Sequence, residues 1–218
     1  MAELASAPVG GQLLVIEGYD GSGKSTLIEA LHRRLPSRSI RVIGRKSEPE
    51  LRDIAAILER EDMRPDPRAE MHLRIAVEVE RMALVTRALE SHDVVVCDRG
   101  VISLVAWFGY LNVLQEPFAP SINEIKHHYR DAITLICQAD FDTCWSRSSR
   151  RPAQSRKDRL GEEVNRGYFV QYDAAVHSHL ESEANNVVIN TVALDVDSSV
   201  DVILSVLKPN LEPSSRGN

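Results

Sequence analysis

Aromatic residues are absent between Tyr19 and Trp107, a gap that covers more than a third of the 218-residue chain. Cysteine is also scarce. Cys97, Cys137 and Cys144 lack the spacing of metal ligands, which favours buried thiols in a reducing compartment over a disulfide framework. No stretch approaches about 18 consecutive apolar residues, and residues 1–10 have neither a basic start nor an apolar run. We therefore expect a cytoplasmic protein without a membrane span.

An excess of basic residues is also missing, since 26 Lys and Arg against 32 Asp and Glu give a formal net charge of −6. This balance argues against a protein that coats nucleic acid by bulk electrostatics, and we expect no nucleic-acid partner. Hydrophobic residues make up 43% of the chain, enough for a buried core. We expect a single domain over residues 12–208, with flexible ends at 1–11 and 209–218.

The sequence does contain short β-branched runs that alternate with longer helical patterns. This alternation is typical of βαβ units and a mainly parallel sheet. The predicted strands are 13–17, 40–44, 94–97, 133–137 and 187–190. The predicted helices are 24–35, 69–90, 101–110, a segment ending at 130, 142–150, 162–183 and 198–207. The fold class is therefore α/β, with a five-stranded parallel sheet between two layers of helices.

A glycine-rich loop follows the first predicted strand directly. Its residues are Gly18-Tyr19-Asp20-Gly21-Ser22-Gly23-Lys24-Ser25, a full match to GxxxxGK[ST]. The glycines allow a tight loop whose backbone N–H groups surround a phosphate, and the start of the next helix adds partial positive charge. Lys24 can reach the outer phosphates and the Ser25 hydroxyl can ligate Mg²⁺. The motif predicts a P-loop NTPase fold that binds ATP or GTP through Gly18, Gly21, Ser22, Gly23, Lys24, Ser25 and Thr26.

Asp98 and Arg99 follow the third predicted strand, at the carboxyl end where open α/β sheets gather their ligand sites. Asp98 there can hold Mg²⁺ through water or accept a proton from an attacking group. Arg99 can bind an anion through two parallel hydrogen bonds. A surface ion pair is the alternative for an isolated dipeptide, but the phosphate loop in the same sheet favours the functional interpretation.

Residues 147–160 carry six basic side chains against the single acid Asp158. Within this segment, residues 150–159 have no apolar periodicity and include Pro152, so we expect a mobile loop there. A solvated surface is the alternative, but positive side chains on a closing lid would stabilise charge during phosphoryl transfer. The predicted catalytic residues are Lys24, Asp98, Arg99, Arg147, Arg150, Arg151 and Arg159.

Three segments together resemble the thymidylate kinase family of P-loop nucleoside monophosphate kinases, over about residues 13–190. VIEGYDGSGKST resembles the family's EGxDGxGKS loop, residues 98–109 follow its DRYxxSxxAYQG segment, and the basic segment resembles its arginine-rich lid ending in DR. The resemblance implies Mg·ATP as the phosphoryl donor and a phosphate acceptor opposite it. It also implies that Asp20 contacts a sugar hydroxyl of the acceptor and that Arg99 contacts its phosphate. A homodimer through helix 69–90 is expected on the same ground.

Departures from the family pattern concentrate in the acceptor site. Ser47 stands where the arginine of the family's TREPGGT element is expected. The family helix that stacks an aromatic ring on thymine aligns with residues 69–81, where Arg74 or Ile75 replaces the aromatic residue. Because a site that hydrogen-bonds one base discriminates strongly, these changes put thymidylate itself in doubt. The predicted acceptor-binding residues are Asp20, Arg74, Arg99, Trp107 and Phe108.

The leading hypothesis is an ATP-dependent phosphotransferase acting on a nucleoside monophosphate or a nucleotide-like phosphate, with Ser25 and Asp98 as the metal-binding residues. Two alternatives stay open at this point. The first is a kinase of a nucleoside or specialised-metabolite hydroxyl, which the altered acceptor residues suggest. The second is a module that binds ATP without turnover and changes the exposed surface of its lid.

Overall fold

A computed structural model describes residues 10–45, 47–60, 65–152 and 155–207. Most of the predicted flexible N-terminal segment and all of the C-terminal one lie outside these described residues. Gly10 and Gly11 are described, and the Gly11 N–H donates to the Leu89 carbonyl at 3.0 Å. The first strand begins at the next residue.

The strands form one parallel sheet in the order β2-β3-β1-β4-β5. Their bounds are β1 Gln12–Gly18, β2 Ile40–Ile43, β3 Val94–Asp98, β4 Ile133–Gln138 and β5 Asn186–Asn190. All strands predicted from the sequence are present, with ends shifted by one residue. The α/β fold class with a five-stranded parallel sheet is confirmed. The loop after β1 and the Asp98-Arg99 pair at the end of β3 therefore lie at the carboxyl edge of neighbouring strands.

Helices cover both faces of this sheet. Their bounds are α1 Lys24–Arg34, α2 Pro49–Glu59, α3 Pro67–Leu89, α4 Val101–Leu111, α5 Ala119–Tyr129, α6 Phe141–Ser148, α7 Arg156–Arg159, α8 Glu162–Ser182 and α9 Val196–Val206, with a short 3₁₀ turn at Glu116–Phe118. Among the described residues, none of these helices combines the length and apolar character that crossing a membrane requires.

Alternating residues of the strands divide the core into two layers. Leu14 and Ile16 of β1 are fully buried in a cluster that includes residues of α1 and α9. Val15, between them, belongs to the larger cluster on the opposite face, together with residues of α3, α4, α5 and α8. This alternation follows from the two-residue period of a strand, and it explains why each strand reads as an almost continuous apolar run.

Helix α2 is a difference from the sequence prediction, which assigned no element there. Pro49 occupies the first turn, where its missing N–H costs nothing. Leu51, Ala55 and Leu58 then recur at helical spacing and are buried. The apolar periodicity was therefore readable, although the stretch is short and follows directly after a turn.

The basic segment contains a second unpredicted helix, α7. Ser155 caps it by accepting from the Asp158 N–H at 3.2 Å, and the Asp158 carboxylate accepts from the Ser155 N–H at 3.1 Å. This reciprocal capping box stabilises even a single turn. The expectation of a loop without regular structure is therefore wrong for residues 156–159, whereas the mobility of the segment stays a prediction.

Candidate active site

The phosphate loop takes a conformation that depends on its glycines. Gly21 and Gly23 have φ of 88° and 94°, in the left-handed region that side chains disfavour. Helix α1 starts at Lys24, whose Nζ donates to the Gly18 carbonyl at 2.7 Å and the Tyr19 carbonyl at 3.0 Å. Burial, followed by the nearby charge of Arg99, lowers the pKa of Lys24 to about 8. The Lys24 ammonium therefore lies against the carbonyls of the loop and is largely shielded from water.

Gly21 gives a direct test of this loop. A Cβ at this position would lie 2.2 Å from the Cys144 carbonyl oxygen, in addition to the strain of its positive φ. We expect Gly21→Ala to weaken ATP binding by at least about tenfold, since about 1.4 kcal/mol corresponds to tenfold in affinity. Isothermal titration with an ATP analogue measures this change. Gly167→Ala is the matched control, because its Cβ meets nothing within 4 Å in helix α8 and should leave ATP affinity unchanged.

Arg99 connects the phosphate loop to helix α4. One guanidinium nitrogen donates to the Gly18 carbonyl at 3.0 Å and to the Ser103 hydroxyl at 3.1 Å, and the other contacts the Asp20 carboxylate. Burial alone would raise the pKa of Asp20, but the charges of Arg99, Lys157 and Lys24 together hold it well below its usual range. Burial is the largest single influence and lowers the pKa of Arg99, but Asp20 and the other acidic groups around it together outweigh burial and raise this pKa. Both groups are therefore ionised at neutral pH.

Glu17 is a structural residue of the site that sequence reasoning missed. It is fully buried on β1, and one carboxylate oxygen accepts from the N–H groups of Gly100 at 2.8 Å and Ser103 at 3.1 Å. The other oxygen accepts from the Ser103 hydroxyl at 2.6 Å. Gly100 has no side chain to cap α4, so Glu17 satisfies these N–H groups instead. A single charge in an otherwise apolar strand was the available signal.

Asp98 and Ser25 suit a magnesium ion bound together with nucleotide phosphates. Both line the same cleft, and Asp98 Oδ1 is buried with no hydrogen-bond partner in the part of the chain that the structure describes. A carboxylate oxygen and a hydroxyl are hard ligands, and Mg²⁺ in such sites takes its other ligands from phosphates and water. No group of three or more His, Cys, Asp or Glu side chains among the described residues could hold a metal ion. The unpartnered carboxylate oxygen of Asp98 and the hydroxyl of Ser25 therefore fit a metal shared with the nucleotide.

The whole cleft has a volume of about 270 Å³. Two acid–arginine pairs of α3 bound the half where an acceptor is expected. Arg74 contacts Glu70 at 2.6 Å and Arg81 contacts Glu78 at 2.8 Å. Burial lowers the pKa of Arg74 despite the opposing charge of Glu70. Arg81 also donates to the backbone carbonyl of Arg99 at 3.0 Å, which supports a residue with a φ of 76°. This wall is therefore charged but internally paired.

Trp107 and Phe108 have different environments. Trp107 lines the cleft, and the Arg74 guanidinium carbon lies 3.5 Å from its ring centroid. Phe108 is fully buried and packs against Phe118 with ring centroids 5.1 Å apart. Phe108 is not among the cleft-lining residues that the structure describes, so its position does not support the predicted contact with the acceptor, which stays a prediction. Tyr110 of α4 and Tyr168 of α8 also line the cleft.

The basic segment does not present all its arginines to the cleft. Arg151 lines it, and Arg147 donates to the Gly21 carbonyl at 3.4 Å. Arg150 and Arg159 are not among the cleft-lining residues that the structure describes. Lys157 lines the cleft, although the sequence had not singled it out. The roles predicted for the arginines of the segment stay predictions.

The cleft has the arrangement of a P-loop nucleotide kinase. It combines a phosphate loop after β1, an acid–arginine pair at the end of the adjacent β3 and a basic segment beside them. Comparison with known proteins assigns the family: the family model "Thymidylate kinase" matches residues 16–203, and the chain belongs to the thymidylate kinase family. It is a nucleotide kinase that uses ATP as the phosphoryl donor. The family and enzyme class predicted from the sequence are confirmed.

Three thymidylate kinases illustrate how similar the chain is to curated relatives. The enzyme of Bdellovibrio bacteriovorus is 39% identical over 164 residues, covering 71% of this chain and 73% of the relative. The enzyme of Syntrophotalea carbinolica is 31% identical over 171 residues, covering 75% and 76%. That of Halalkalibacterium halodurans is 28% identical over 207 residues, covering 89% and 93%.

Proposed function

We propose that the protein transfers the γ-phosphoryl group of Mg·ATP to the phosphate of a nucleoside monophosphate, in an acceptor pocket altered from that of thymidylate-specific members. The observation that carries this proposal is the position of Arg99. Its guanidinium donates to the Gly18 carbonyl of the phosphate loop and also contacts Asp20, so one cation lies where donor and acceptor phosphates would meet.

The residues of the cleft either position the two substrates or stabilise the charge of their phosphates. Lys24 and the loop N–H groups neutralise the donor phosphates, and Arg99 orients the acceptor phosphate for in-line attack on the γ-phosphorus. Ser25 and Asp98 would hold Mg²⁺, which shields phosphate charge when bound. Arg151 adds positive charge from the lid side of the cleft. No nucleophile from the protein is required.

The base side of the pocket supports an acceptor other than thymidylate. Among the described residues, Trp107 is the only tryptophan that lines the cleft. The Arg74 guanidinium carbon lies 3.5 Å from its ring centroid and so occupies one face of the ring. Val77 and Glu78 on the same wall offer no flat ring for stacking. On this wall a base would therefore pack against a guanidinium or an aliphatic side chain, while Tyr110 and Tyr168 supply the rings elsewhere in the cleft. Such an arrangement changes the discrimination between bases.

A panel of nucleoside monophosphates tests the proposal. With ATP and Mg²⁺, we expect at least one monophosphate to stimulate ADP release well above the background of a Lys24→Ala preparation, and to do so more efficiently than thymidine monophosphate. A coupled ADP assay that reports kcat/KM for each acceptor measures this. ADP release that no monophosphate stimulates above the Lys24→Ala background would contradict the proposal.

A neutral hydroxyl acceptor is the second candidate, and the pairing of the arginines favours it. The arginines around the acceptor half each contact a carboxylate: Arg45 with Glu59, Arg74 with Glu70, Arg81 with Glu78 and Arg99 with Asp20. A doubly charged acceptor would have to compete with these carboxylates. Comparison of each nucleoside with its own monophosphate in the same assay decides between the two acceptors.

A further inference from the structure

Lys157 differs from the other cations of the basic segment. Its side chain is only 8% exposed, whereas the side chains of Arg151 and Arg159 are exposed. A buried ammonium is costly unless several acceptors surround it. The placement of Lys157 therefore needs a cause other than the general positive charge of the lid.

Four polar groups surround the Lys157 ammonium. It donates to the Tyr19 hydroxyl at 3.2 Å, to Asp158 Oδ1 at 3.2 Å and to the side-chain oxygen of Asn165. It also lies 3.3 Å from Asp20 Oδ2. These partners come from the phosphate loop, from α7 and from α8, so a single side chain connects three parts of the site.

Asn165 completes this buried cluster. It is fully buried, and its side-chain nitrogen donates to the carbonyls of Lys157 at 2.9 Å and Gly161 at 2.8 Å. The Tyr19 hydroxyl donates to the Asn165 carbonyl at 2.9 Å. Asn165 therefore contacts both the ammonium and the backbone carbonyl of Lys157, and both contacts hold α7 in place.

Asp20 divides its carboxylate between two partners. One oxygen contacts Arg99 and the other contacts Lys157. We propose that Lys157 is a positioning residue that binds the lid, which is the basic segment 147–160, to Asp20. Closure of the lid and alignment of the Asp20–Arg99 pair then occur together. In this arrangement the lid cannot lift from the loop without removing one of the two cations that hold Asp20.

This inference rests on the proposed function for its kinetic consequence, since Arg99 is there the group that orients the acceptor phosphate. Its structural consequence needs no substrate. Loss of the ammonium should free the lid backbone, where the Leu160 N–H donates to the Lys157 carbonyl at 3.1 Å and the Gly161 N–H to the Asp158 carbonyl at 3.4 Å. Faster exchange of these amides reports lid opening directly.

Hydrogen–deuterium exchange on the ligand-free full chain is the first test. We expect Lys157→Met, which keeps the length of the side chain and removes its charge, to accelerate exchange at residues 157–161 by at least about tenfold, the equivalent of about 1.4 kcal/mol. Exchange in β4 and β5 should not change. Lys126→Met is the matched control, because it removes a lysine of α5 outside the cleft and should leave exchange in the lid as in the wild type.

Asp20→Asn tests the same link from the other side and does not depend on the folding of the lysine variant. It should accelerate exchange at residues 157–161 as well, and the double variant should show less than the sum of the two free-energy changes, because both remove one interaction. Lid exchange at the wild-type rate in both single variants overturns the proposal. So does an equal acceleration throughout the chain.

Steady-state kinetics with the best acceptor of the monophosphate panel is the second test. We expect Lys157→Met to raise the KM for the acceptor by at least about tenfold and the KM for ATP by less, because Asp20 and Arg99 lie on the acceptor side. A decrease in kcat with both KM values unchanged would indicate a smaller folded fraction and would overturn the coupling. If no monophosphate is turned over, the proposed function fails while the exchange experiment still decides the role of Lys157.

Discussion

Lys24→Ala is expected to lower kcat for phosphoryl transfer by at least about a hundredfold, a loss of the size that follows removal of one preorganised charge donor. The lysine Nζ lies within 3.0 Å of two loop carbonyls, so its ammonium is already placed where donor phosphates would bind. Coupled ADP release measures the loss. Thermal unfolding of the variant must match that of the wild type, because otherwise the loss would reflect folding and not charge.

The same lysine predicts a pH dependence of ATP binding. Burial lowers the pKa of Lys24 to about 8, so in the ligand-free protein the ammonium loses its proton as the pH rises through this value. Only the charged form attracts the donor phosphates, so affinity for an ATP analogue should decrease between pH 7 and pH 9. Lys24→Ala should lack this decrease. An equal decrease in both proteins would assign the pH dependence to another group.

The phosphate loop could be predicted from the sequence because its chemistry is local. The residues from Gly18 to Ser25 are consecutive, and the strand before them and the helix after them have regular periods. Asp98 and Arg99 could be placed because parallel strands end at one edge of the sheet, whatever their order. Local periodicity and sheet geometry thus account for the donor half of the site.

The remaining features depend on contacts between distant parts of the chain. Glu17 binds Gly100 across 83 positions of sequence, and Lys157 meets Tyr19 across 138. No spacing rule connects such pairs, because their separation is set by how helices pack on the sheet. The burial of Phe108 could not be predicted for a different reason, since it depends on the rotational phase of α4, which a short apolar helix does not reveal by its sequence.

The aromatic gap of the sequence has a structural counterpart in the cleft. Within the gap, α3 supplies Arg74, and its guanidinium lies over Trp107, the first aromatic residue after the gap. Glu70 holds this arginine in place from one turn earlier. The cleft therefore has a guanidinium stacked on an aromatic ring and held by an ion pair. This stack lies on the wall of the cleft and not in the phosphate loop, so it bears on the choice of acceptor and not on the binding of ATP.

Glu17→Ala is expected to destabilise the protein by about 3 kcal/mol or more, because a hydrogen bond to a charged group contributes about 1.5–3 kcal/mol and this carboxylate accepts several. The change also leaves the N–H groups of Gly100 and Ser103 buried without an acceptor at the start of α4. Urea denaturation measures the loss as a lower midpoint at an unchanged slope.

Glu17→Gln is the matched control for this buried group. Its side-chain oxygen can still accept from the N–H groups of Gly100 and Ser103, and its nitrogen can donate to the hydroxyl of Ser103, so we expect less than half the destabilisation of Glu17→Ala. Equal destabilisation by both variants would show that the charge, and not the capping geometry, dominates. Wild-type stability of Glu17→Ala would contradict the capping role altogether. Because α4 begins two residues after Arg99, a role in capping also predicts that Glu17→Ala raises the KM for the acceptor in whatever fraction remains folded.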